Sequence, residues 1–401
     1  MIYVKTRLKK PCILIVSPFF PYPPKDGGKL KMYNAIKSAS REYDIIFLSF
    51  VSNQEEEASI IHLKDYCKEV FTVQFGPDTS GIKTNASLPE VVKTFYSERM
   101  KNMLSQIMEK YPIDIVQTEY GFMAQYTKDI RHIPGILVEH DTSLLSLKGS
   151  YEKPLNRRWD VFRDWLKKLN FYKNAYRCFD KIIVFTEEEK KAVRALSPRA
   201  DISVVPIGVE IESYKFKSNS DSPLDLIFVG YMGHYPNVDG ITYFCNKIFP
   251  MVQKKLPLVN LHIIGSKMNG ELSSVSGNKN IQIIGEVEDI RPYLAKAKVF
   301  VAPLRLGRGL RVKILEAMAM GLPVVATSVA CSGIRAAAGK SILIADRPHK
   351  FSADIIRLAQ DEGLRNDIAA NARNIVERYY SCKNTQRQLQ EIYGEMIGDA
   401  R

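Results

Sequence analysis

Residues 299–327 read VFVAPLRLGRGLRVKILEAMAMGLPVVAT. An apolar run (299–304) gives way to Gly307 and Gly309, a helix is predicted from about Leu310 to Met320, and Gly321-Leu-Pro opens the next apolar run at 323–327. Strand, helix and strand in this compass form the repeating unit of a parallel sheet. The same cadence extends in both directions. In the second half the runs are 224–230, 260–265, 280–285, 299–304, 323–327 and 341–345; in the first half they are 12–17, 45–50, 70–75, 114–118, 135–140 and 181–186. Each is rich in Ile and Val without alternation, as strands covered on both faces are. Twelve strands in two sets of six predict an α/β chain of two doubly wound, Rossmann-like parallel-sheet domains.

The polar, Pro- and Ser-bearing stretch 203–225 reads as the linker, which divides the chain near Pro206 into domains 1–205 and 206–380. Residues 381–401 end in a helix whose apolar stripe, Leu389, Ile392, Tyr393, Met396 and Ile397, requires a partner surface.

Composition narrows the function. The chain has 401 residues, a formal net charge of +13, 45% hydrophobic and 25% charged residues, which excludes a disordered or fibrous protein. The positive excess suits phosphates or an anionic lipid leaflet. Aromatic and basic residues do not interleave in any RNA- or DNA-binding module, so no nucleic acid partner is expected. The six cysteines form no CxxC pair, as in reduced thiols of a cytosolic protein. The basic N-terminus lacks a signal-peptide core and no apolar run is long enough to span a bilayer, so the expectation is a cytoplasmic protein, at most touching a membrane.

Ligands of open parallel sheets lie beyond the carboxyl ends of strands. Two such loops carry signals. After the first strand, SPFFPYPPKDGGK (17–29) brings Gly27 and Gly28 to a helix start near Lys29, where backbone N–H groups attract anions. In the opening stretch, Arg308, Arg311 and Lys313 crowd a helix N-terminus whose dipole opposes them unless an anion is bound. Glu316, further along that helix among apolar neighbours, offers two acceptors that match adjacent ribose hydroxyls. Phosphate and ribose together indicate a nucleotide. A segment from Leu155 to Phe179 is a basic amphipathic helix, with Trp159, Phe162, Leu166 and Leu169 near helical spacing. It is either a packed helix with a solvated basic face or a surface that approaches an anionic membrane.

With GLR before it, KILEAMAMGLPVVAT (313–327) resembles the nucleotide-sugar site of GT-B glycosyltransferases of the large retaining family 4, near its sugar transferases of surface-polysaccharide gene clusters. The stretches 229–250, 283–304 and 13–31 share the resemblance. It implies a GT-B fold with two domains facing a cleft and a final helix crossing back to the first domain. It also implies a nucleotide-diphosphate-sugar donor and a glycan or lipid-linked acceptor. On the donor side it implies Glu316 at the ribose, Val287 in the base-holding loop GEVEDI (285–290), and Gly230, Gly309 and Leu310 as further donor-binding residues. In the first domain it implies Gly27 and Gly28 in the glycine loop, counted with the donor-binding residues, and His140 as a catalytic candidate that either contacts the transferred sugar or is a structural histidine satisfied by a neighbouring carboxylate; Glu119 and Asp141 are acceptor-side candidates.

Two departures stand out. Many relatives carry a glutamate where this chain has Arg308, and they place an Arg and a Lys after the first strand of the second domain, where this chain has Tyr231 to Pro236. Arg311 and Lys313 are therefore expected to supply the displaced charge from the opposite loop and to act catalytically on the leaving group. No two aspartates stand two residues apart, and neither metal nor other cofactor is expected. Two other readings stay open at this point: a sugar-nucleotide epimerase of the same architecture, and a sugar-nucleotide-binding protein without turnover.

Overall fold

Unbroken apolar strands need cover on both faces, and the chain meets that need twice. The computed structural model describes residues 10–24, 27–76, 87–140, 142, 158–215, 225–267, 272, 277–307 and 309–399. One compact unit comprises Met1–Pro206 with Gln386–Arg401; the other is Ile207–Thr385.

In the first unit, β1 (Cys12–Ser17), β2 (Asp44–Val51), β3 (Glu69–Gln74), β4 (Ile115–Glu119), β5 (Gly135–Val138), β6 (Lys181–Val184) and β7 (Ile202–Val204) form one sheet. Their order is β3-β2-β1-β4-β5-β6-β7 and every pairing is parallel. The second unit has β8 (Asp225–Val229), β9 (Asn260–Ile264), β10 (Ile281–Gly285), β11 (Val299–Ala302), β12 (Val324–Ala326) and β13 (Leu343–Ile344). Their order is β10-β9-β8-β11-β12-β13, again parallel. Both are doubly wound. The direction of winding reverses between β1 and β4 in one sheet and between β8 and β11 in the other, which opens a crevice at each carboxyl edge.

The twelve expected strands are all present, and β7 adds a thirteenth at the start of the stretch read as linker. Three residues are too short to register as an apolar run. Four buried residues of the closing helix Cys382–Asp399 cover the first unit: Leu389, Ile392, Tyr393 and Met396. The Tyr393 ring meets Tyr43 edge-on at 5.3 Å, and its hydroxyl donates to Gln117 Oε1 at 2.6 Å.

Cys67, Cys245 and Cys331 are buried, and burial pushes each thiol up to about 12, so they serve as small apolar core groups. Among the described residues no helix is long and apolar enough to cross a membrane.

Candidate functional site

Each unit gathers one polar cluster at the carboxyl edge of its sheet. In the second unit the loops beyond β8, β9 and β10 are stitched by backbone: Gly230 N donates to Ile264 O and Gly265 N to Gly285 O, both at 2.9 Å. Gly230 must be small, because a Cβ there would stand 3.0 Å from Asn237 Cγ. Asn237 is buried in the helix Tyr235–Tyr243; its Nδ2 donates to Tyr231 O at 2.8 Å and its Oδ1 accepts from Lys313 Nζ at 2.7 Å. The ammonium also lies 4.6 Å above the centre of the Phe228 ring, within cation–π range.

Lys313 reaches there from the helix Val312–Met320, which starts two residues later than the spacing predicts. Arg311 stands at its N-cap with φ −90° and ψ 89°, and Gly321 closes it in the left-handed region at φ 82°. Gly309, at φ 84°, turns the chain into the helix; its carbonyl accepts from Arg311 Nη1 at 3.0 Å. Leu310 and Val287 are half-buried against the core of this unit. Burial, then the neighbouring Arg311 charge, lower the Lys313 ammonium to about 7, against the opposing pull of Glu316.

Glu316 projects from the next turn of that helix. Its Oε1 accepts from the Tyr214 hydroxyl at 2.9 Å. Burial raises the carboxyl above its usual range, opposed by that hydrogen bond and by Lys313, while burial followed by the Glu316 charge raises the Tyr214 phenol. Beyond Val287 the loop continues to Asp289 and Arg291, an ion pair at 2.8 Å whose charges are felt at the Tyr214 hydroxyl. Tyr214 comes from the stretch read as linker, of which residues 216–224 lie outside the described residues.

In the first unit, Gly27 and Gly28 form the first turn of the helix Gly27–Ala39 rather than a loop before it. Lys31, in the same helix, was not singled out in the sequence. It is 94% buried, its Nζ sits 3.0 Å over the Phe185 ring, and it makes no hydrogen bond among the described residues. Burial lowers it to about 7, although Glu119 and Glu189 oppose the shift.

Glu119, the last residue of β4, is buried and hydrogen-bonds His140 Nε2; its Oε1 accepts from Gln117 Nε2 at 2.5 Å. Burial alone would raise the Glu119 carboxyl, but His140, Lys31 and Gln117 together hold it below its usual value. The His140 ring stacks on Tyr120 at 4.1 Å, and Tyr120 itself holds φ at 67°, an uncommon conformation for a bulky residue. Glu189 closes the group from the capping box at Thr186. Asp141 and Arg308 lie outside the described residues.

The structure thus brings Gly230, Gly309, Arg311, Lys313 and Glu316 together in one unit, and Glu119 with His140 in the other. Sequence reasoning missed Asn237, Tyr214, Lys31 and Glu189. The position of Asn237 two residues after the His-Tyr pair of a matched stretch was the available signal; the other three had none beyond their residue type.

Two open, parallel, Rossmann-like sheets, one in each unit, are the fold of the GT-B class of enzyme. The description "Glycosyl transferases group 1" matches residues 223–361, and "Glycosyltransferase Family 4" matches 86–213. Together these matches span more than half of the chain, which belongs to the family 4 glycosyltransferases and is a transferase.

An uncharacterized 44.6 kDa protein in the cps region of Klebsiella pneumoniae is 24% identical over 92% of this chain and 97% of its own length. The capsular polysaccharide biosynthesis glycosyltransferase CapM of Staphylococcus aureus is 24% identical over 57% of this chain and 65% of its own. Among solved structures, sucrose-phosphate synthase from Thermosynechococcus elongatus superposes with a TM-score of 0.73 at 15% identity, covering 97% of this chain and 100% of that one. HepE of Anabaena in complex with UDP gives 0.69 at 15% identity with the same coverage. At such identities the structural likeness concerns the fold. The non-catalytic and epimerase readings give way to glycosyl transfer.

Proposed function

We propose that the protein moves a glycosyl group, with retention, from a nucleoside-diphosphate sugar to a glycan or lipid-linked saccharide during surface-polysaccharide synthesis. The observation that carries this reading is Lys313. Through Asn237 its ammonium is tied to the loop after β8, the loop where relatives are expected to keep their basic pair. The charge is supplied from the opposite side of the crevice and delivered to the same place. As the bond between the anomeric carbon and the diphosphate breaks, the electron pair goes to the leaving group, the acceptor hydroxyl oxygen bonds to the anomeric carbon, and its proton passes to the departing diphosphate oxygen. Lys313, Arg311 and the helix start stabilise that growing negative charge, each well-placed donor contributing about 3 kcal/mol. Glu316 receives the ribose, and Val287 with its loop receives the base. HepE with UDP, and the same protein with UDP-glucose, supply the analogy for a nucleotide donor.

In this reading His140, hydrogen-bonded to Glu119, contacts the transferred sugar. No metal takes part, since the cations that neutralise the diphosphate belong to the protein. Full activity in chelator is the expected result; activity lost in chelator and restored by manganese would refute it. The acceptor is met in the cytoplasm at an anionic membrane. Supporting this, the helix Arg158–Tyr176 buries Tyr172 and Tyr176 but exposes Trp159 (75%), Phe162 and Leu166 beside Arg163 and Lys173. Co-sedimentation with vesicles that ignores anionic lipid and salt would dismiss the contact.

The decisive experiment is a thermal-shift panel of nucleoside diphosphates and their sugars, followed by product analysis. Selective stabilisation by one diphosphate, with a new glycosidic bond in the product, is expected. No stabilisation by any of them would overturn the reading.

A further inference from the structure

Tyr214 is fixed at both ends. Its ring is buried, its hydroxyl donates to Glu316 Oε1, and its backbone carbonyl accepts from Arg373 Nη1 at 2.8 Å. Arg373 stands on the helix Glu362–Tyr379, where its Nε donates to Glu377 Oε1 at 2.6 Å. The same Nη1 also donates to Ala319 O, near the end of the helix that carries Glu316. One guanidinium therefore clamps the Tyr214 backbone to the Glu316 helix, while the phenol reaches the Glu316 side chain. Packing would require only the ring. A phenol on a buried carboxylate occupies one of its acceptor sites and restrains its orientation.

We propose that Tyr214 is a positioning residue that engages Oε1 of Glu316 and so presents Oε2 to the vicinal hydroxyls of a bound nucleotide. The inference rests on the nucleotide reading above and deepens it. The hydrogen bond also opposes the burial that raises the Glu316 carboxyl.

The test measures dissociation constants calorimetrically. UDP, GDP, ADP and CDP are titrated into the full-length protein, and the tightest of them is compared with its 2′,3′-dideoxy counterpart. Wild type, Tyr214→Phe, Glu316→Ala and the double variant are used, with far-UV circular dichroism and melting curves to establish that each is folded. Wild type should bind the dideoxy compound about tenfold more weakly than the ribonucleotide. Tyr214→Phe should weaken the ribonucleotide about tenfold, leave the dideoxy compound nearly unchanged, and add nothing once Glu316 is gone. If Tyr214→Phe weakens both nucleotides alike, or neither, the tyrosine is structural and the inference is overturned. If wild type binds one of the four but ignores the missing hydroxyls, Glu316 does not hold the ribose and the inference is overturned; if it binds none of them, the nucleotide reading itself falls, and this inference with it.

Discussion

Two lysines, Lys31 and Lys313, each place an ammonium inside the protein and are held at about 7 by burial. Between 7 and 10.5 the unfolded chain keeps protons that the folded chain has released, so stability rises with pH across that window and the full penalty applies below it. From pH 7 to 9 each lysine should add about 2 kcal/mol. Replacing Lys31 by Met should flatten that part of the slope in urea titrations at the two pH values; an unchanged slope would contradict the burial of its charge. A bound diphosphate reverses the logic for Lys313, because an anion favours the protonated amine. Nucleotide binding near pH 8 should therefore take up protons, seen as a dependence of calorimetric heat on buffer ionisation enthalpy. Lys313→Ala and Arg311→Ala should each weaken the donor by about 2 kcal/mol with the fold retained; donor affinity unchanged from wild type in both variants would remove the proposed charge relocation. Arg311 and Lys313 were marked by their place, since cations at a helix start are conspicuous, and Glu316 by its apolar neighbours. Asn237 and Tyr214 escaped because their partners lie 76 and 102 positions away, a separation that no local pattern encodes.

Elements were far more legible than contacts. Strands buried on both faces announce themselves as unbroken apolar runs, and all twelve that were expected are present; β7 is three residues long and left no such trace. The helix carrying Glu316 ends where Gly321 requires it to end, but it starts at Val312 because Arg311 adopts a non-helical cap that composition does not foretell. Gly265 is the most demanding position among the loops beyond β8, β9 and β10. A Cβ there would stand 1.7 Å from the Gly230 carbonyl oxygen, which is backbone and cannot rotate away. Gly265→Ala should cost about 3 kcal/mol or more and disturb the β8 loop that binds Asn237. By contrast, Gly277→Ala, with nothing within 4 Å of its Cβ, should leave the urea midpoint nearly unchanged. Equal midpoints for the two variants would show that the loops are not locked together.

At the scale of the molecule, the division near Pro206 was readable from a drop in apolar content, and the contact boundary falls after that residue. The destination of the last helix was implied only by family resemblance; its apolar stripe showed that it needed a surface, not which one. That helix does more than cover apolar groups. Tyr393 donates to Gln117, Gln117 donates to Glu119, and Glu119 bonds His140, so the closing segment is coupled to the first unit's polar cluster. Tyr393→Phe should lower stability by about 1–2 kcal/mol by leaving a buried amide oxygen unmet, read from the urea midpoint. It should also shift the pH profile of transfer, whereas a purely packing role would change the midpoint alone.

Because Gln386–Arg401 complete a unit whose other residues all precede Ile207, synthesis on the ribosome presents that unit with an unfilled face for as long as the intervening 179 residues take to emerge. The later-made unit is contiguous and can close first. The nascent first unit must wait with Tyr43 and Gln117 uncovered, a window in which chaperone capture or misassembly with another chain competes with completion.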